Sequence, residues 1–227
     1  MTCGLEVQTT KADAIQPKKD ECSISSPGMV TSLGSDGFVE FTPTQPNIDV
    51  TIKDCLLLPS FGFSIFIYPQ VSTGTIAHYV ATSASVSEFS DFLLTLTNGM
   101  LEVTLNIGSE VFSSGAIGVL NINSWNLVVF GFDGAVKKLH LSKHGGSRNQ
   151  MKNDLGGPLS VPGVLRIGSK QGTSAPERFT GRVACAMLFD EKIEYSQANQ
   201  AIISFCNSPW ENVPSPGKVL LAFIIFT

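Results

Sequence analysis

Three histidines, His78, His140 and His144, are the side chains of this 227-residue chain whose charge changes near neutral pH. Ser-His-Asp hydrolysis would have to recruit one of them, and no G-x-S-x-G elbow is present to carry the serine. His140 and His144 stand four apart, a spacing that aligns two metal ligands on a helix. They fall instead on a strand and the turn after it, where that spacing brings no rings together, so zinc is not expected. Acid–base work by paired carboxylates has its nearest candidates in Asp190-Glu191 and Glu194, which read as a solvated turn. The five cysteines, Cys3, Cys22, Cys55, Cys185 and Cys206, contain no C-x-x-C pair, which argues against a zinc ribbon or a thioredoxin-type redox centre. Their wide spacing and odd number suit an extracellular chain with two disulfides and one spare thiol, a reduced cytosolic chain being the other reading. Catalysis is not expected.

Charge offers a second kind of chemistry. Only 15% of residues are charged, against roughly 25% in an average soluble domain, and the net charge of −4 argues against general nucleic-acid affinity. The distribution is uneven: residues 1–136 carry −9 and residues 183–227 carry −2, whereas residues 137–182 carry +7. That island comprises Lys137, Lys138, Lys143, Arg148, Lys152, Arg166, Lys170, Arg178 and Arg182. Gathered on one face, these side chains would form a patch for an anionic ligand. Strand alternation works against gathering, since neighbours such as Lys137 and Lys138 face opposite sides, and the competing reading is scattered solubilising charge.

The elements that must position these groups are strands. Low charge with 21 glycines fits short half-buried strands joined by tight turns. Ten runs qualify: 38–41, 48–52, 61–68, 75–81, 92–97, 100–107, 125–132, 136–141, 164–167 and 183–189, which suggests a two-sheet sandwich. The loop Asn98-Gly99 suits a type I′ turn, and it pairs Leu96 with Leu101, Leu94 with Val103 and Phe92 with Leu105 on one face. Thr95 with Glu102 and Leu93 with Thr104 form the other face. Asp133-Gly134 reads as a second two-residue loop, placing Val128, Phe130 and Phe132 on one face with Leu139. One helix is expected over Ser196–Cys206, capped by Ser196, with Ala198, Ala201, Ile202 and Phe205 on its apolar face. Residues 1–28 read as an irregular lead-in without the apolar run of a signal peptide, and 207–227 as a Pro-rich tail with a short apolar end. The Lys218–Thr227 run, apolar over Val219–Phe226, is too short to span a membrane; it can be a sheet strand, a truncated anchor or an artefact, and Pro209, Pro214 and Pro216, which set it apart from the domain, favour the last two.

The segment from Trp125 to Gly134 followed by Leu139-His140-Leu141 resembles the central hairpin of laminin-G-like domains, within the concanavalin-A-like lectin and glucanase superfamily. Gly37–Phe41, Phe61–Pro69, Leu165–Gly168, Phe179–Val183 and the helix after Tyr195 follow the family's order of motifs over roughly residues 29–206. The chain departs from the family pattern at His140, where relatives often carry an aromatic, and at Phe66, where they usually carry Trp.

The resemblance implies an all-β, two-sheet antiparallel jelly roll with one short C-terminal helix. It implies a non-catalytic extracellular module of a larger protein, binding a glycan or a cell-surface or matrix protein. Sulfated glycans would be held on a patch of Lys138, Lys143, Arg148, Lys152, Arg166, Lys170, Arg178 and Arg182. Glucanases of the superfamily use an E-x-D-x-x-E strand, which is absent here, so a glycan-cleaving enzyme is the alternative, beside a structural, oligomerising jelly roll. Some laminin-G and pentraxin relatives bind calcium at one rim. Oxygen donors such as Asp91, Asn98 and Asp154 are present without forming a calcium loop, so calcium stays open and no cofactor is assigned. C-terminal bridges in relatives point to a Cys185–Cys206 disulfide, the alternative being two buried thiols, while Cys3, Cys22 and Cys55 can pair in three ways. No N-x-S/T sequon occurs, since Asn207-Ser208 is followed by Pro209 and Asn123-Ser124 by Trp125.

Overall fold

The computed structural model describes residues 38–42, 47–143, 148–152, 156–172, 178–199 and 219–223. Two mostly antiparallel sheets of seven strands each are found among them. The first runs β2 (Ile48–Leu58), β12 (Leu159–Ile167), β4 (Gly74–Ala81), β5 (Phe89–Thr97), β6 (Met100–Ile107) and β7 (Glu110–Ser113), with β8 (Ile117–Val119) also on β6. The second runs β1 (Val39–Phe41), β13 (Gly181–Phe189), β3 (Phe61–Pro69), β9 (Asn126–Asp133), β10 (Lys138–Lys143) and β11 (Arg148–Lys152), with β14 (Val219–Phe223) also on β13.

The Asn98-Gly99 hairpin has the register its sequence dictates, Leu96↔Leu101, Leu94↔Val103 and Phe92↔Leu105. Asn98 and Gly99 take φ of 52° and 80°, the left-handed pair a type I′ turn requires. The second hairpin differs from expectation. Its turn spans four residues, 134–137, and Phe132 faces Leu139 rather than Ala135. The cause is local: the Asp133 carboxylate accepts the N–H groups of Ala135 and Val136, Ser60 Oγ accepts that of Gly134, and Lys137 takes a φ of 52°. The shift is an even number of residues, so Phe130, Phe132 and Leu139 still face the core.

Side-chain alternation builds that core. Phe61, Phe63, Ile65 and Ile67 of β3 and Phe92, Leu94 and Leu96 of β5 are all essentially inaccessible to water. Phe61 is their centre, with ring centroids 5.7–6.4 Å from those of Phe89, Phe92, Phe130 and Phe132.

A smaller apolar cluster lies on the outer side of the second sheet, where Leu127, Val129, Met187 and Phe189 pack against Ile193 and Ala198. The chain lies this close because paired Gly62 and Gly131 leave a notch: a Cβ on Gly62 would come 2.5 Å from Ile193 Cγ1, and one on Gly131 2.8 Å from the Ile193 carbonyl. The helix begins at residue 195, with the Glu194 N–H donating to Gln197 Oε1 at 2.8 Å. The expected Ser196 cap is therefore corrected: the side chain of Gln197 satisfies the first orphan donor, and Ser196 sits within the first turn. Described helix ends at 199, and Ala201, Ile202, Phe205 and Cys206 lie outside the described residues.

The strands β7, β8, β11 and β14 are additions to the ten read from sequence. The run set apart as a tail supplies β14, which pairs with Ala186–Phe189 on the same edge of β13 that β1 occupies over 181–183. Between those two stretches Cys185 takes a φ of 48° at a bulge.

Candidate functional site

On the outer side of the second sheet, beyond the helix-covered cluster, alternation leaves a different surface. Val39 and Phe41 point into the core, so Glu40 and its neighbour Phe38 point out; Val183 points in, so Arg182 and Ala184 point out; Ile65 and Ile67 point in, so Phe66 and Tyr68 point out. Register aligns Glu40 with Arg182 and Arg182 with Tyr68. Trp125 continues this row, immediately before Asn126, which faces Ile67.

The indole is 5.7 Å from the Tyr68 ring, 6.1 Å from Phe38 and 6.3 Å from Phe66, centroid to centroid. It is 38% exposed. Its loop is fixed by the buried Asn126 side chain, whose Nδ2 donates to the carbonyls of Asn121 (2.9 Å) and Ser124 (2.6 Å) while Oδ1 accepts the Asn121 N–H. The Asn123 N–H ties the same loop to the Pro69 carbonyl.

Arg182 completes the shelf. Its guanidinium carbon lies 4.7 Å from the Phe38 ring centroid and 5.4 Å from that of Tyr68, and its Nε donates to Glu40 Oε1 at 3.3 Å. Flat ring faces bordered by a guanidinium and a carboxylate can stack on an apolar ring face and exchange hydrogen bonds with its substituents. The ionisable side chains of the shelf are the Arg182–Glu40 pair and the Tyr68 phenol.

The outer side of the first sheet carries polar side chains bonded in local pairs. Arg166 makes a two-pronged bond to Asp49, 2.6 Å on each side, which raises the affinity of its guanidinium for its proton. His78, 7% exposed, accepts the Gln171 N–H at Nδ1 (2.9 Å), and the Gln171 side chain closes over it by donating to the carbonyls of His78 and Val164. Burial, and then the positive charges of Lys170 and Arg166, lower the His78 pKa from 6.5 to about 4. Asp91 accepts from Asn106 Nδ2 at 2.6 Å, and burial raises its pKa.

At one end of the sandwich, Ser60, Asp133, Glu191, Lys192, Glu194, Ser196 and Gln197 line an open cleft of about 500 Å³. Two of the acids weighed above, Glu191 and Glu194, do therefore meet in space. Lys192 Nζ stands 3.6 Å from both Asp133 Oδ2 and Glu194 Oε1, so two carboxylates of the cleft share one ammonium. Among the described residues no group of three or more His, Cys, Asp or Glu is placed to hold a metal ion. No helix among them is long and apolar enough to cross a membrane.

The basic island is divided between the sheets. Lys138 and Lys143 lie on β10, where Lys143 shares the side of Leu139 and Leu141 and Lys138 does not. Backbone register sets Lys152 opposite Lys138 and Arg148 opposite Ser142. Arg166 belongs to the first sheet, Lys170 to the loop after it, Arg178 to a bridge with Thr75, and Arg182 to the shelf. Cys185 is one end of a disulfide; Cys206 lies outside the described residues. Of the shelf, the sequence pointed to Arg182 alone as a binding residue, while Trp125 and Phe66 entered as parts of fold motifs. The signal for the others was the parity of Phe38, Glu40, Phe66 and Tyr68, each out of phase with the core residues of its own strand.

Neither a protein-family model nor a curated protein matches the chain. Solved structures do. A native heptameric SAP-like pentraxin from Limulus polyphemus is 16% identical, covering 73% of this chain and 79% of its own, with a TM-score of 0.54. Domains LG4-5 of the mouse laminin alpha1 chain are 14% identical over 76% of this chain, which spans 46% of that pair of domains, with a TM-score of 0.56. The CBM40 of the Ruminococcus gnavus IT-sialidase, solved with alpha2,3 sialyllactose bound, is 13% identical over 71% of this chain and 94% of its own, with a TM-score of 0.51. At these identities the likeness is one of fold, and the two-sheet sandwich described above is the concanavalin-A-like jelly roll of pentraxins, laminin G domains and that carbohydrate-binding module.

Proposed function

We propose that this chain is a non-catalytic recognition module that binds glycans on the outer face of β1, β13 and β3, with Trp125 and Tyr68 as the platform. The observation that carries the reading is the half-exposed Trp125, held against three other rings and bordered by the Arg182–Glu40 pair. Stacking of a planar ring on an aromatic side chain contributes about 1–3 kcal/mol in the well-measured case of nucleobases, enough for one tryptophan to dominate a weak site. The fold shared with a module solved with sialyllactose bound supports a glycan rather than a small apolar ligand. The disulfide at Cys185 supports an oxidising, extracellular setting, and with it a role in recognition or adhesion within a larger protein. We read the second cysteine of that bridge as Cys206.

A glycan array probed with the wild type and with Trp125→Ala, each with calcium and with chelator, tests the reading. Signals present in the wild type and lost in the variant support it, whereas a variant that binds as the wild type does overturns it. A melting temperature within a few degrees of the wild type shows that the variant is folded.

A further inference from the structure

We infer that the saccharide this shelf takes is uncharged, with Arg182 and Glu40 reading its hydroxyls as a matched pair; the inference rests on the proposal that the shelf binds glycans. The shelf consists of Phe38, Phe66, Tyr68 and Trp125, which carry no charge, and of one guanidinium and one carboxylate 3.3 Å apart. Its charges cancel. An anionic ligand reaching for Arg182 would meet the Glu40 carboxylate beside it, and a cation reaching for Glu40 would meet Arg182.

The guanidinium is also poorly placed to turn toward an incoming anion. It is stacked over Phe38, within 5.4 Å of the Tyr68 centroid, and bonded through Nε to Glu40, so an anion on its remaining N–H edge would stand close to that carboxylate. A sugar hydroxyl meets no such repulsion, because it both donates and accepts: one hydroxyl can take an N–H from Arg182 while its neighbour donates to Glu40. The side chains of Arg182 and Glu40 are 36% and 45% exposed, so both are within a ligand's reach as they stand.

Three members of the basic island lie away from this pair or are already partnered. Lys138 and Lys143 lie on β10, three strand spacings from β13, at least about 14 Å away. The screening length at physiological salt is about 8 Å. Arg166, on the other sheet, is already paired with Asp49.

The test is titration calorimetry of the full chain with cellohexaose, maltohexaose and chitohexaose as neutral probes, and with a heparin dodecasaccharide and sialyllactose as acidic ones, at 50 and 500 mM NaCl. The expected result is binding of at least one neutral probe that changes less than twofold between the two salts and weakens at least tenfold in Trp125→Ala. In Glu40→Gln, which leaves Arg182 without its counter-charge, neutral binding should weaken severalfold and heparin binding should appear at low salt and vanish at high salt. Acidic probes bound alone, and lost in Trp125→Ala, would overturn the ligand class while leaving the shelf as the site. Binding of any probe that survives Trp125→Ala would overturn the shelf itself. No binding of any probe at millimolar concentration would count against both.

Discussion

Replacing His78 by Asn should remove most of an acid-sensitive component of stability. Within the fold the imidazole is neutral, because it is buried beside Lys170 and Arg166 and its Nδ1 accepts the Gln171 N–H, which a doubly protonated ring cannot do. In the unfolded chain the same group takes up a proton near pH 6.5, against about 4 in the fold. Its folded-state pKa is lowered, so the unfolded state binds more protons between those values and stability falls as pH falls. The contribution is complete above pH 6.5, is lost progressively down to about 4, and then levels off. At 1.36 kcal/mol per pH unit this amounts to about 3 kcal/mol. Urea unfolding at pH 7.5 and pH 4 measures it: the wild type should lose about 3 kcal/mol more than His78→Asn, whose amide oxygen can still accept the Gln171 N–H. Asp91, whose pKa burial raises, acts in the opposite direction but is common to both proteins and drops out of the difference. A wild type and variant that lose stability in parallel would refute the claim that His78 is held neutral. They would also reopen the outer face of the first sheet as a place where a histidine could do chemistry.

Three further outcomes follow from the fold. Asn98→Gly should leave the urea midpoint nearly unchanged, whereas Asn98→Ala, forced to a φ of 52°, should lower stability by about 1 kcal/mol. Phe61→Ala, which empties the centre of the aromatic core, should cost about 3–5 kcal/mol and show as a large drop in melting temperature with the sheet signal retained in the cold. Peptide mapping without reduction should recover Cys185 joined to Cys206, closing a loop of about 20 residues worth about 3 kcal/mol in the chain-entropy model; a link from Cys185 to any other cysteine would refute the pairing.

What the sequence made legible was whatever depends on neighbours along the chain. Asn98-Gly99 fixes its own turn, and the period-two pattern on either side then fixes six cross-strand pairs. The Asp133 turn shows where this local logic stops. The Ser60 hydroxyl that accepts the Gly134 N–H lies 74 residues away, so no local motif could signal the longer loop, though the even shift preserved the facing. The strands β7 and β8 carry weak patterns because each is short and buries one large apolar side chain, Phe112 or Ile117, and the sequence of β11 has one apolar residue; for β14 the strand reading ranked below an anchor or artefact because of intervening prolines, which say nothing about where a chain returns. The shelf was missed for a related reason. Charge is conspicuous in a chain with so little of it, so Arg182 stood out, but its counter-ion Glu40 is 142 residues distant and its stacking partners come from two other strands.

The position of the shelf follows from where the covering segment of the second sheet ends. Ile193 and Ala198 close over Leu127, Val129 and Met187, and the paired glycines that admit them are at the Phe61 end of β3. Phe66 sits at the margin of that cover, and Tyr68, two residues further along, lies beyond it. Aromatic side chains left there would expose costly apolar area singly, at roughly 25 cal/mol per Å². Packed around Trp125, tilted in the case of Phe38 and Phe66 and edge to face in that of Tyr68, and with Arg182 over Phe38, they leave the indole only partly open. The same contacts that limit that cost also fix the rings. Asn126 fixes the loop, Tyr68 and Phe38 fix the indole, and Glu40 fixes the guanidinium, so a ligand would order little on arrival. A shelf rigid before binding can hold a weakly interacting, uncharged ring at little ordering cost, and this is why the proposed site rests on rigidity rather than on net positive charge.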